Sequence, residues 1–252
     1  MQSVALTHVG FVRQNNEDAY FMAPIQGWSE AQLLLVADGV GGKDYGEIAS
    51  SIAVDTLCNL NDSGKLAAAK DPTMTDLVLS MAALRAHKAI MAHAQTHPEC
   101  RGMACTLTLV LASPWECVLV QVGDSRCYLY SDKLIQQSQD QTIAALLVQH
   151  GRITSEEAAN HPDRNVLHQA LGVEAVNEPL QPVVNRFTWM LGDTLLLCSD
   201  GLTDMVTHEV IASTLAQSVN LELKAEQLVQ LALDGGGRDN VTLILAKLED
   251  TI

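Results

Sequence analysis

The chain has 252 residues, 48% of them hydrophobic, with 30 acidic against 15 basic side chains and a net charge of −15. That balance repels nucleic-acid phosphates and anionic lipid surfaces, and no apolar run approaches the ~18 residues of a membrane span. The even composition offers no boundary at which to divide the chain, so a single domain over 1–252 is expected, with a core that needs no disulfide staples. The N-terminus, MQSVALTHVG, has neither a basic start nor a long apolar stretch, so no signal or transit peptide is read and a cytoplasmic location is expected. The six cysteines form no CxxC pair and fall mostly in apolar runs, as buried reduced thiols do.

In chain order, residues 3–12 have strand character, and GFVRQNNEDAY (10–20) then supplies Arg13, Glu17 and Asp18. LLLVADGVGG (33–42) reads as a strand bound for the core that stops on Asp38 beside Gly39. Asp-Gly is ordinary turn chemistry, so this site alone signifies little. Residues 48–60 and 75–94 carry helical spacing, marked in the second by Leu77, Met81, Leu84, Lys88 and Met91, with Asp71-Pro72 before it. Runs at 106–112, 117–122 and 126–130 are expected to form an antiparallel meander, and the middle one ends on Gly123-Asp124. Residues 142–149 suggest a helix closed by Gly151, and Thr154 with Glu157 a capping box; His161-Pro162 ends that second helix. The less apolar stretch of about 141–185 is read as a small, more mobile flap lobe beside the sheet edge. The strand at 194–198 leads into Asp200; helical patterns follow at 208–215 and 221–233; Asp239 and Asn240 then open a last strand at 241–247. Strands in groups with helices in separate pairs make the fold α+β, helices packed outside sheets.

Where neighbouring strands run antiparallel, the ends of some lie beside the starts of others, so Asp18, Asp38, Asp124, Asp200 and Asp239 can gather at one edge. Five bare carboxylates cannot share a pocket: at an effective dielectric near 20, each pair ~4 Å apart costs about 4 kcal/mol. Either they are apart or cations neutralise them. No HExxH, Cys/His pairing or EF-hand loop is present, and an all-oxygen set favours Mg²⁺ or Mn²⁺. A glycine after Asp38 lets the backbone approach, so the Gly39 carbonyl is a further candidate ligand.

The ordered set GFVRQNNEDAY, LLLVADGVGGKDYGEIAS, VGDSRCYLY, CSDGLTD and GGGRDNVTLIL resembles the metal-dependent Ser/Thr protein phosphatases of the type 2C (PPM) family in their compact bacterial form. HGRITSEEAANHPDRNVLHQALG resembles that family's flap. The resemblance implies a four-layer α-β-β-α sandwich of two antiparallel sheets flanked by helix pairs, with two Mn²⁺ or Mg²⁺ ions at one edge. It implies Asp38 as bridging ligand, Gly39 through its carbonyl, Asp200 and Asp239 completing the pair, Glu17 and Asp18 acting nearby largely through water, and Asp124 with Asp200 at a third, weaker site. Asn240 would orient Asp239. Arg13 matches the phosphate-binding arginine; a planar guanidinium can hold two phosphate oxygens, whereas a surface ion pair with Glu17 is the plainer alternative. The implied reaction is direct, in-line hydrolysis of phosphoserine or phosphothreonine in proteins, with the targets of a bacterial Ser/Thr kinase as substrates and a monomer as the working form.

Val40 stands where eukaryotic members carry a histidine, so a water must protonate the leaving group. Met103-Ala104-Cys105-Thr106 replaces Met-Gly-Thr-Thr, with Cys105 expected as packing. Gln141 replaces a common histidine, leaving Asp140 as a structural acceptor, and Ser125 and Arg126 are expected to shape the turn presenting Asp124. His161 is expected in a capping or surface role. Two other functions share parts of this pattern: a phosphoprotein-binding pseudophosphatase module, and a metal-dependent phosphodiesterase. No Cys-x5-Arg signature of a thiol phosphatase is present.

Overall fold

In the structure, a computed structural model, residues 1–40, 45–69, 71–173 and 179–249 are described. Gly41 and Gly42, and residues 174–178 of the expected lobe, lie outside them. Two five-stranded antiparallel sheets carry the chain. The first has the order β1 (Gln2–His8), β12 (Val241–Lys247), β11 (Thr194–Cys198), β8 (Arg126–Tyr130) and β9 (Leu134–Gln136). The second has the order β10 (Val183–Phe187), β7 (Cys117–Val122), β6 (Leu107–Ala112), β3 (Trp28–Ala37) and β2 (Ala19–Ile25). A short pair, β4 (Gly39–Val40) with β5 (Ala104–Cys105), continues beyond the end of β3.

Three apolar layers show why these strands are apolar on both faces. Leu34 and Val36 of β3 meet Leu195 and Leu197 of β11 and Ile244 of β12 between the sheets. Their alternates Leu33, Leu35 and Ala37 turn outward onto the cluster formed with α1 (Gly46–Asp62), the short α2 (Lys65–Ala68) and α3 (Pro72–Thr96), while Leu196, Cys198, Leu243 and Leu245 turn onto α7 (His208–Leu215) and α8 (Leu221–Asp234). With period 2 and both faces covered, alternation disappears into continuous apolar runs. The four-layer α-β-β-α sandwich is thus present, and its two antiparallel sheets and helix pairs agree with the expectation.

Several expectations need correcting. The expected inward stripe of α3 is the wrong face: Leu77 and Met81 are exposed, and Leu79, Ala82, Ala83, Ala86, His87 and Ile90 are buried. Small alanines let α3 lie close to α1 and the sheet, a contact that a search for large apolar residues overlooks. The three-strand meander also fails. β6 and β7 pair, but β8 belongs to the other sheet, so Gly123-Asp124-Ser125 is the crossing between sheets rather than a hairpin turn. The first strand stops at His8 rather than at 12, because Gly10 takes a left-handed conformation (φ 80°) and turns the chain under the start of β12. Strands β2, β9 and β10 escaped the sequence reading, and β10 begins within the stretch assigned to the lobe. Within that lobe, α4 (Ile143–Gln149) ends before Gly151 (φ 65°), and Thr154 forms both bonds of its capping box with Glu157 at the start of α5 (Ser155–Ala159). Asp71 caps α3 by accepting from the Met74 amide at 2.9 Å.

Candidate active site

One end of the sandwich collects the acids. Asp38 follows the end of β3 and Asp124 the end of β7. Asp200 opens α6 (Asp200–Thr203) just after β11; Asp239 precedes β12, and Asp18 precedes β2. Because Ala19 pairs with Ala37, Asp18 and Asp38 flank the same rung of the ladder. Arg13, Glu17, Asp38, Gly39, Asp124, Asp200 and Asp239 line one cleft of about 760 Å³, and Asp18 is packed behind Asp38. All eight candidate residues therefore meet at one place.

Hydrogen bonds fix them there. Asn240, 4% exposed, accepts from the Glu17 amide at 2.8 Å through Oδ1 and donates through Nδ2 to the carbonyls of Val9 and Asn15, both at 2.9 Å. These three bonds hold the loop bearing Arg13, Glu17 and Asp18 against the start of β12. The Asn240 amide also donates to Asp239 Oδ1 at 2.8 Å, which orients Asp239 as expected. Thr106 Oγ1 accepts from the Asp38 amide at 2.9 Å and lies 2.6 Å from Ser125 Oγ, linking the Asp38 and Asp124 loops at the end of the second sheet. Gly39 packs so tightly that a Cβ there would sit 2.5 Å from the Glu17 carbonyl oxygen.

The electrostatics are those of an uncompensated acidic cluster. Burial, and then Asp18, Asp200, Asp124 and Asp239, push the Asp38 carboxyl well above its ordinary range. Burial foremost raises Asp18 to about 6, against the hydrogen bonds it accepts; Asp124 rises to about 7 through burial and then Asp140, and Asp200 to about 8 through burial, Asp124 and Asp204. A protonated Asp38 is placed to share its proton with Asp18 and with Asp200. With every carboxyl ionised, Asp18 Oδ1 is buried and has no donor. Such a donor set fits hard divalent cations. Among the described residues, no three His, Cys, Asp or Glu side chains close around a single point as an ion cage. The arrangement suits ions that each take few protein oxygens and keep several waters, as Mg²⁺ does.

Arg13 is paired with Asp239 (Nη2 to Oδ2, 2.7 Å), not with Glu17 as the plainer alternative had it. Burial opposes its charge, but Asp239, Glu17 and Asp38 outweigh that and raise its pKa. Around the cleft, Asp140 is the structural acceptor expected: Arg126 grips both its oxygens (Nε at 3.0 Å to each, Nη2 at 2.6 Å to Oδ2), and Gln136 adds a bond of 2.9 Å. Ser125 and Arg126 thus shape the turn that presents Asp124. His161 stays outside the cleft, accepting from the Asp163 amide at 3.1 Å. Cys105 is fully buried and pushed far up by burial and then by Asp38, so it is packing and not a nucleophile.

Sequence reasoning missed three contributors. Ser199 Oγ donates to Asp18 Oδ2 at 2.7 Å, Thr106 joins the two loops, and Asp204 accepts from Asn165 of the cleft wall at 2.8 Å. Ser199 and Asp204 belong to the CSDGLTD motif already singled out, so proximity to Asp200 was the available signal.

A sandwich of this topology with this carboxylate cleft is the architecture of a phosphatase class. A family model described as Protein phosphatase 2C matches residues 12–234, and the chain belongs to that family. It is 39% identical over 244 residues to the serine/threonine protein phosphatase PstP of Mycobacterium tuberculosis, covering 96% of this chain and 44% of that one. The chain thus spans less than half the length of those relatives. The serine/threonine phosphatase stp of Listeria monocytogenes is 33% identical, over 97% of this chain and 95% of its own length. The crystal structure of the PstP catalytic domain in complex with two manganese ions superposes with a TM-score of 0.79 at 34% identity, covering 99% of this chain and 98% of that one.

Proposed function

We propose that this chain hydrolyses phosphoserine and phosphothreonine in proteins with two Mn²⁺ or Mg²⁺ ions. The observation that carries the reading is the convergence of Asp18, Asp38, Asp124, Asp200 and Asp239 with Arg13 on one cleft edge. Asp38, the Gly39 carbonyl, Asp200 and Asp239 would hold the pair of ions, with Glu17 and Asp18 reaching them through water. Asp124 and Asp200 would hold a weaker third. Bound there, the ions supply a water of lowered pKa and offset the charge of the phosphate oxygens. Arg13 is held at one nitrogen by Asp239, which leaves its remaining N–H groups to grip two phosphate oxygens and to counter charge developing in the transition state. Asp18 keeps Asp38 in register, and Asn240 fixes the loop that brings Arg13 to Asp239. Val40 offers no proton, so the leaving alkoxide takes its proton from water.

The proposal includes one catalytic domain over 1–252, with its flap lobe at about 141–185, working as a monomer in the cytoplasm on the targets of a bacterial Ser/Thr kinase. Among the described residues no helix is long and apolar enough to cross a membrane. The test is phosphate release from a phosphothreonine peptide: turnover with Mn²⁺ and none with EDTA is expected. Tight peptide binding without turnover would transfer the reading to the pseudophosphatase module. Turnover of small phosphodiesters in preference to the peptide would transfer it to the phosphodiesterase.

A further inference from the structure

A second cavity, of about 550 Å³, adjoins the catalytic cleft under the lobe. The two share a wall made by His168 and Gln169. That wall is tied to the catalytic edge: the His168 amide donates to the Gln141 carbonyl at 2.7 Å, and Gln141 Oε1 accepts from the amide of Gly123, beside Asp124, at 2.7 Å. Gln169 is 7% exposed and lines both cavities; its Oε1 accepts from the Gln181 amide at 3.2 Å, and no hydrogen bond joins its Nε2 to the described residues. A side chain anchored through its amide oxygen keeps its amide N–H groups for a guest.

The chemistry of the second cavity differs from that of the cleft. Gln139, Gln149 and Gln181 line it, and Asp140 is the one charged side chain among its described residues, already gripped by Arg126. Side-chain amides with no net charge suit the alternating C=O and N–H groups of an extended peptide, and the acids of the adjoining cleft repel acidic neighbours of the phosphorylated residue. We propose that this cavity is a subsite for the substrate residues on one side of the phosphoresidue, uncharged or polar in character, and that Gln169 is a positioning residue donating to a peptide carbonyl where the chain passes from one cavity to the other. The inference rests on the phosphatase reading above.

The experiment compares kcat/KM for p-nitrophenyl phosphate, which cannot reach the subsite, with that for phosphothreonine peptides shortened stepwise from either end. In the Mn²⁺-loaded protein, efficiency should fall when residues are removed from one end and hold when removed from the other. In Gln169→Leu, the ratio of long-peptide to p-nitrophenyl phosphate efficiency should drop about 3- to 10-fold, the worth of one neutral hydrogen bond, and chiefly through KM. Gln149→Trp, which fills the far part of the cavity, should lower the same ratio for long peptides and spare those already truncated. A proportional fall for both substrates in both variants would mark packing damage, and an unchanged ratio would equally overturn the subsite. If the wild-type protein releases phosphate from none of the substrates, the catalytic reading fails, and fluorescence anisotropy of a labelled long phosphopeptide still decides: equal affinity in wild type and both variants sinks the subsite.

Discussion

Asp38→Asn should stabilise the metal-free protein while abolishing its turnover. Asp38 is half-buried, surrounded by Asp18, Asp200, Asp124 and Asp239, and pushed well above its ordinary value of 3.8. At pH 7.5, holding such a carboxyl neutral costs at most about 5 kcal/mol, at about 1.4 kcal/mol per pH unit. Asparagine removes that cost and keeps a donor for Asp18 and Asp200. Because the neighbouring acids share the relief, a gain of about 2–3 kcal/mol is expected, or roughly 5–10 °C in Tm. The sign with pH follows from linkage. The folded values lie at about 6 for Asp18, about 7 for Asp124 and about 8 for Asp200, above the ordinary 3.8 of an unfolded chain. The unfolded chain therefore releases its protons first, and the stability of the metal-free protein falls as pH climbs from about 4 through this window. The advantage of Asp38→Asn in EDTA should accordingly be small at pH 5.5 and large at pH 8.5. Saturating Mn²⁺ should reverse the order, since ligand binding stabilises only the chain that holds it. Thermal melts at the two pH values decide the matter. A variant that melts below wild type in EDTA at pH 8.5, or a gap independent of pH, would refute the electrostatic account.

Arg13→Ala should raise KM and lower kcat for phosphopeptides, about 10²-fold together in kcat/KM, and Arg13→Lys should recover little, because an ammonium lacks the fork; steady-state kinetics check both. Asn240→Ala removes three side-chain hydrogen bonds, one buried and two part-buried, and should cost about 2–4 kcal/mol in denaturant melts, with activity falling further as the Arg13 loop loosens. Gly201→Ala would drive a Cβ into the Asn240 backbone carbonyl; a lower Tm and weakened Mn²⁺ binding are expected together, because the collision pushes α6 and β12 apart at Asp200 and Asp239. Asp124→Ala should retain two bound ions yet shift the metal dependence of turnover, measured by calorimetry beside activity.

Much of the site was legible because chemistry concentrates it: an acid that ends an apolar run beside a glycine is visible without a fold, and the antiparallel rule says why such acids meet. Central strands were legible for a related reason, since β3, β6, β7, β11 and β12 are buried on both faces and read as unbroken apolar runs. Edge strands were not. β2 alternates exposed with partly buried residues and contains Pro24, and β10 is a five-residue edge with one exposed and four half-buried positions. The packed face of α3 was hidden because alanines make it, and large apolar residues on the opposite side suggested the wrong stripe. The passage of β7 to β8 between sheets was hidden because a short Gly-Asp-Ser link looks the same whether the next strand pairs beside the last or crosses the sandwich. The second cavity needed the fold, since its glutamines come from both sides of the lobe.

Calorimetric titration of Mn²⁺ into the EDTA-stripped chain tests the central claim most directly, with Asp239→Ala titrated alongside. Uptake of two ions by the wild type, with loss of at least one in the variant, is the result expected. No uptake by the wild type, or unaltered uptake by the variant, would contradict the assignment of these carboxylates to a two-ion hydrolytic centre.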